Sequence, residues 1–271
     1  MSKTKPGVAL VTGASSGIGY ATAKALLKAG YAVFGTGLRA EEKAPEGVTS
    51  LICDVTDDAA VAELVEQVLA AAGRIDLLVN NAGVGLIGGA EESSIAQAKA
   101  LFDVNVFGTM RVTNAVLPTM RQQGAGRIVN MSPVMGLIPA PYNAIYSASK
   151  HAIEGYSESL DHELRTFGIR VTLVEPSYTD TPFEVNKSTP DQPLSIYDAA
   201  RKQNVAFMIK SCEKGDPPEV VAETVLKAAS AATPDRRYPA GKMARQVRML
   251  RRFVPEAAFD KSLRKQAGLP V

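Results

Sequence analysis

Tyr146 and Lys150 set a phenol and an ammonium four residues apart, in the run Tyr146-Ser147-Ala148-Ser149-Lys150. On a helix, positions i and i+4 share one face, so both polar tips reach the same spot. A tyrosine ordinarily titrates near pH ~10 and is a poor proton donor or acceptor at neutral pH. A fixed positive charge nearby favours the phenolate and pulls that value toward the working range. Such a pair suits the passage of a proton to or from an oxygen atom. The spacing alone is common on surface helices, and its weight comes from a second motif far upstream.

That motif is Thr12-Gly13-Ala14-Ser15-Ser16-Gly17-Ile18-Gly19. Val8 to Val11 reads as a short buried strand before it, and Tyr20 to Ala29 as a helix after it, ending at Gly30. A glycine-rich turn between strand and helix lets the backbone approach a pyrophosphate, which rests on the amides of the helix start. The spacing is G-x-x-x-G-x-G. A tight strand-to-helix turn that simply needs glycine is the blander alternative.

Together these residues resemble the short-chain dehydrogenase/reductase family over about Gly7 to Pro182. The likeness includes Asp54 after the third strand, Asn80-Asn81-Ala82-Gly83 after the fourth, Asn105 in the next helix, and Glu175-Pro176 closing a later strand. The resemblance implies hydride transfer between a nicotinamide and a carbonyl or alcohol carbon. Tyr146 is then the proton donor in reduction or acceptor in oxidation, and Lys150 lowers its pKa and holds the nicotinamide ribose. Asn105 is expected to hold a water that links Lys150 to solvent. The cofactor is expected along Gly13, Ser15, Ser16, Gly17, Ile18 and Gly19, at Asp54 and Val55 beside the adenine, and at Asn81, Ala82 and Gly83. Pro176, Ser177, Thr179 and Thr181 would meet the nicotinamide carboxamide and the pyrophosphate.

Two departures from the family pattern bear on chemistry. The family's acidic residue at the end of the second strand, which selects NAD, falls at Gly37. Arg39, two residues on, can pair with a 2′-phosphate as a planar fork, which points to NADP over NAD; a solvated loop arginine is the alternative. Leu38 stands where many NADP-dependent relatives carry arginine. The second departure lies thirteen residues before Tyr146, where the family's substrate-binding serine is replaced by Pro133. Proline offers neither a hydroxyl nor a backbone N–H. Ser132 can replace that donor only if the loop shifts by one residue, because neighbours on an extended chain point to opposite faces. Two explanations compete, a loss of catalytic power or a site that orients substrate differently. Asn143, three residues before Tyr146, is a candidate substitute donor.

The elements that must position these groups alternate along the chain. Apolar runs at 32–36, 49–53, 75–80, 127–131 and 169–174 read as strands. Helical patterns at about 58–72, 95–123 and 146–167 separate them. This argues for an α/β fold: one doubly wound, Rossmann-type parallel sheet of about seven strands with helices on both faces. Ligands in such sheets bind beyond the carboxyl ends of the strands, where Gly13, Asn80 and Pro176 converge. A single domain spanning 1–271 suffices. Association through the helices at 95–123 and 146–167, giving a homodimer or homotetramer, is implied by the resemblance.

With 271 residues and 46% apolar content, the chain can bury one large core. No apolar run approaches the ~20 residues of a membrane span, and the N-terminus carries no signal-like segment. Cys53 and Cys212 form no disulfide framework, so a cytoplasmic location is expected. His151 and His162 lack ligand-like companions, so no metal is expected.

Substrate choice is expected in a lid over about 183–216, which begins at Phe183 and carries Ile196, Val205, Phe207, Met208 and Ile209. An apolar ketone or alcohol of retinoid, steroid or acyl type is the expected substrate. Beyond a seventh strand, the tail at 242–265 carries eight Lys/Arg against Glu256 and Asp260, with Met243, Val247, Leu250 and Val254 at helical spacing. It either packs over the lid or a partner subunit, or binds a membrane surface. Nucleic acid is disfavoured, since no aromatic platform interleaves the charges. The readings are therefore a working NADP-dependent oxidoreductase, a cofactor-binding relative with turnover impaired at Pro133, and a membrane-associated lipid, retinoid or steroid reductase.

Overall fold

In the computed structural model, which describes residues 7–42, 44–183 and 187–270, every strand of one seven-stranded sheet runs parallel to its neighbours. The strands are β1 (Val8–Val11), β2 (Ala32–Gly37), β3 (Thr49–Ile52), β4 (Leu77–Asn80), β5 (Gly126–Met131), β6 (Ile169–Pro176) and β7 (Arg237–Ala240), in the spatial order β3-β2-β1-β4-β5-β6-β7. The order reverses at β1, between β2 and β4, which opens a crevice above the carboxyl ends of these strands.

Alternate side chains of each strand feed opposite layers. Leu10, Leu78, Ile128 and Val171 pack against Val65 and Val68 of α2 (Asp58–Ala72), Val112 and Val116 of α4 (Thr109–Gln123), and Leu160 of α5 (Ala144–Leu164). Ala9, Val11, Val79 and Val129 pack against Leu26 of α1 (Gly17–Lys28) and Val221 and Val225 of α7 (Pro218–Ser230). Asp57 caps α2 by accepting bonds from the amides of Ala59 and Ala60, and Gly73 ends that helix with φ 72°.

The helix expected over 95–123 is broken. It comprises α3 (Ile95–Phe102), one wide turn with i→i+5 bonding at Asp103–Gly108, and α4. Wide turns of this kind insert an extra residue and re-aim side chains, often at functional sites. Asn105 lies in it, and its amide is drawn inward to the backbone of Val84: Oδ1 accepts from Val84 N at 2.8 Å and Nδ2 donates to Val84 O at 2.9 Å.

The tail also divides, into α8 (Gly241–Phe253) and α9 (Glu256–Gln266), at Pro255. The lid contains α6 (Asp198–Glu213) and is tied to the body by parallel bridges between Leu86 and Ser188 and between Thr179 and Asp216. The lid residues Glu184, Val185 and Asn186 lie outside the described residues. No helix among the described residues is long and apolar enough to cross a membrane.

Candidate active site

The turn after β1 is shaped by contacts that exclude side chains. Gly13 has φ 66° and Gly17 φ 52°, and a Cβ on Gly19 would lie 2.0 Å from the carbonyl oxygen of Gly13. The left-handed turn and the close approach of α1 both require glycine. The side chain of Asn81 donates to the carbonyls of Thr12 and Gly13, both at 3.0 Å. The hydroxyl of Thr12 accepts from the amides of Asn81 and Ala82. Asn81 therefore braces the turn as well as lining the crevice. Ser16, at the start of α1, makes no side-chain capping bond, so first-turn amides of α1 remain for an anion.

The crevice is one cavity of about 1750 Å³. Its walls include Gly13, Ser15, Ser16, Gly17, Ile18 and Gly19; Asp54 and Val55; Asn81, Ala82 and Gly83; Tyr146 and Lys150; and Pro176, Ser177, Thr179 and Thr181. Residues distant in sequence are thus brought together on one cavity wall. Asp54 spends Oδ1 on the amide and hydroxyl of Thr56, which fixes its carboxylate at the cavity wall.

Tyr146 and Lys150 are buried on the first turns of α5, with the Lys150 ammonium 5.9 Å from the Tyr146 ring centre. Lys150 Nζ donates to the carbonyl of Met131 at 3.2 Å. Burial pulls the lysine down to about 8, opposed by the negative charge of Glu154 one turn along. Asn105 stands behind this pair, its Nδ2 also donating to the hydroxyl of Ser149 at 3.2 Å, and a Cβ on Gly83 would lie 3.1 Å from its Oδ1. A second ammonium, that of Lys187, lies 5.6 Å from the Tyr146 ring centre, and the Phe183 ring stands 5.9 Å away. Lys187 is brought there by the pairing of Ser188 with Leu86, a contact across 102 residues that local sequence pattern does not carry.

A family model for short chain dehydrogenase matches residues 7–192. The chain belongs to the short-chain dehydrogenase family. It is 41% identical over 184 residues to a 3-ketodihydrosphingosine reductase of Bacteroides thetaiotaomicron, covering 68% of each chain. Among solved structures it is similar to a short-chain dehydrogenase from Streptomyces avermitilis, with 32% identity, 99% coverage of both chains and a TM-score of 0.83. It is also similar to a family member from Burkholderia phymatum in complex with NAD, with 28% identity, 92% and 94% coverage and a TM-score of 0.77. This short-chain dehydrogenase is accordingly an oxidoreductase of the CH–OH/C=O class. The glycine turn, the unspent α1 amides and the lysine beside the phenol fit a nicotinamide dinucleotide.

Two expected residues of this short-chain dehydrogenase, Ser132 and Arg39, stand off the cavity wall, and a third, Asn143, is partly tied to the backbone. Ser132 is fully buried and turned away from the cavity, its Oγ donating to the carbonyl of Lys150 at 3.4 Å, while Pro133 lines the wall. The loop has not shifted by a residue, and Ser132 does not replace the missing donor. Asn143 lines the cavity, yet its Nδ2 is bonded to the carbonyl of Pro141 at 3.1 Å and its Oδ1 is buried and unpaired. One N–H of that amide is thereby spent, and the second is left for another acceptor. Arg39 lies outside the cavity, exposed, with Nε bonded to Glu42 at 2.8 Å.

Glu42 takes the wall position instead. Its Oε2 accepts from the amide of Leu38 at 3.1 Å and from the Ser15 hydroxyl at 3.4 Å, and a Cβ on Gly37 would lie 3.2 Å from that oxygen. Arg39, then the Leu38 amide, hold its carboxyl below the usual range. A carboxylate thus faces the cavity at the end of β2, supplied from the following loop.

Behind the site lies a buried charge cluster that motif reading passed over. Arg237, opening β7, donates from Nε to Glu154 at 2.9 Å, and that nitrogen lies 3.0 Å from Oε1 of Glu175; Nη1 donates to Glu158. Three carboxylates share one guanidinium. Burial and then repulsion from Glu154 push Glu175 up to about 7, opposed by Arg248 and Arg237, and burial likewise raises Glu154. Glu154 stands four residues from Lys150 on α5, and that spacing is the one local signal the cluster offers.

Proposed function

We propose that the chain interconverts a long apolar ketone and its secondary alcohol at the expense of a nicotinamide dinucleotide. The observation that carries this reading is the course of the cavity. Past Tyr146 it continues between α6 and the two tail helices, walled by Phe183, Phe207, Met208, Met243, Val247 and Leu250. Apolar walls of this extent reward an alkyl chain at roughly 25 cal/mol per Å² of surface removed from water. A relative named for reducing 3-ketodihydrosphingosine agrees with it.

The dinucleotide, when bound, supplies or accepts the hydride. In reduction the Tyr146 phenol donates its proton to the substrate oxygen, and the Lys150 ammonium supports the phenolate left behind. Phe183 and Lys187 close the side of the phenol nearest the lid. Pro133 supplies no hydroxyl, and loss of one such donor commonly costs about 2.7–4 kcal/mol. That absence, with Ser132 turned away, favours a second reading, in which the chain binds dinucleotide but turns over slowly.

Cofactor choice rests on the Arg39–Glu42 pair. NADP use, expected from Arg39, requires the pair to open so that the guanidinium meets a 2′-phosphate. With the pair closed, Glu42 presents a carboxylate suited to a free 2′-hydroxyl, which favours NAD. Self-association through α3, α4 and α5 belongs to the same reading and is supported by the exposed Ile95 and Phe107.

The test is oxidation of NADH and NADPH with a homologous series of ketones. The proposal expects kcat/KM to climb with chain length, at least tenfold from the shortest to the longest soluble member. A flat or falling series would remove the long-chain substrate.

A further inference from the structure

Helix α8, which walls part of the cavity, exposes apolar and cationic groups side by side on its outer surface. Met243, Val247 and Leu250 turn toward the cavity. On the neighbouring face Met249 and Phe253 stand in solvent, Phe253 with 66% of its surface exposed. Arg245 and Arg252 flank them, and Arg251 stands across the helix; all three are exposed.

These arginines differ from several others in the molecule. Arg111, Arg165, Arg170, Arg201 and Arg237 are each held by carboxylates. Among the described residues, no carboxylate lies within ion-pair distance of Arg245, Arg251 or Arg252. Two of them stack instead on aromatic rings, Arg251 over Phe259 at 5.5 Å and Arg252 over Phe253 at 5.4 Å. Arg245 and Arg252 thus leave their positive charge uncompensated on a face that also exposes large apolar side chains.

We propose that α8 docks this enzyme on an anionic lipid bilayer, with Met249 and Phe253 in the acyl boundary and the arginines among the headgroups. A helix carrying apolar groups on one side and arginines around them suits the plane of a membrane interface. Charge complementarity selects this occupant over a second copy of the chain, since two such faces meeting would bring their unpaired arginines together. The cavity that α8 walls in part then lies beside the membrane, where a long-chain ketone is concentrated. This delivery role rests on the long-chain reading above, whereas the docking itself does not.

The experiment is sedimentation of the full chain with vesicles of phosphatidylcholine, with and without phosphatidylglycerol. Wild type should partition at least tenfold more strongly onto the anionic vesicles, and added salt should weaken it. The double variant Met249→Glu/Phe253→Glu, whose changes lie outside the cavity wall, should lose that partitioning at least tenfold. It should keep wild-type dinucleotide binding and turnover of a short, water-soluble ketone. Equal partitioning of wild type onto both vesicle types overturns the proposal. So does light scattering that shows the double variant falling to a smaller oligomer, because the face then joins copies of the chain. Vesicle binding with no chain-length preference among ketones leaves docking standing and removes delivery. The reverse result removes docking and leaves the substrate class.

Discussion

Arg237 reaches from the first residue of β7 to the carboxylate of Glu154, one helical turn beyond Lys150. The guanidinium holds Glu154 close enough for its charge to oppose the burial that pulls Lys150 down to about 8. Removing that charge lowers the lysine further, because an ammonium loses its stabilising neighbour. Glu154→Gln is therefore expected to move the alkaline limb of the pH profile of kcat/KM to lower pH. Glu154→Asp should restore part of the shift. A limb at the wild-type position in Glu154→Gln would show that the carboxylate does not reach Lys150 electrostatically.

Glu175 ties stability to pH through the same cluster. Its folded-state value is about 7 against an ordinary 4.5. Between those values the native chain holds more protons than the unfolded one, so this group's contribution to stability falls as pH rises from about 4.5 to about 7. Glu175→Gln removes that loss. The variant's melting temperature relative to wild type should rise between pH ~5 and pH ~8, as followed by circular dichroism. A constant difference across that window contradicts it.

Pro133 sits on the cavity wall with φ −58° and ψ 164°, a backbone that serine also adopts. Pro133→Ser places a hydroxyl on the wall where Ser132 has none. The expected gain in kcat is at least tenfold, below the full ~100- to 1000-fold worth of such a donor. An unchanged kcat in steady-state turnover would mean that another group already serves the substrate oxygen.

Glu42 is expected to govern dinucleotide preference. Fluorescence titration should show wild type binding NADH more tightly than NADPH. Glu42→Ala should shift the ratio at least tenfold toward NADPH, since it removes a carboxylate near the phosphate and frees Arg39. A wild type that prefers NADPH, with a ratio unmoved in the variant, contradicts the reading.

Much of this architecture was legible in the chain, and the misses have physical causes. The glycines at 13, 17 and 19, the buried strands, and the phenol–ammonium spacing are local patterns, and the structure converges them on one cavity. The break at Asn105 was hidden because apolar spacing runs on from Leu101 through Val106, while the wide turn is set by bonds from Asn105 to Val84. Arg39 is paired with Glu42, a contact invisible to a search for a basic residue after β2. The opposite faces of Ser132 and Pro133 follow from extended backbone and were anticipated. Lys187 and the Arg237 cluster depend on contacts between distant segments, which no local periodicity encodes.

Rapid-quench turnover with a 4,4-dideuterated reduced dinucleotide and a long-chain ketone tests the proton-relay pair most directly. Wild type should deliver deuterium to the carbinol carbon. Tyr146→Phe should lose at least a hundredfold in kcat while binding the dinucleotide within a few-fold of wild type. Deuterium transfer at an undiminished rate in Tyr146→Phe, or none in wild type with any ketone, would contradict the account.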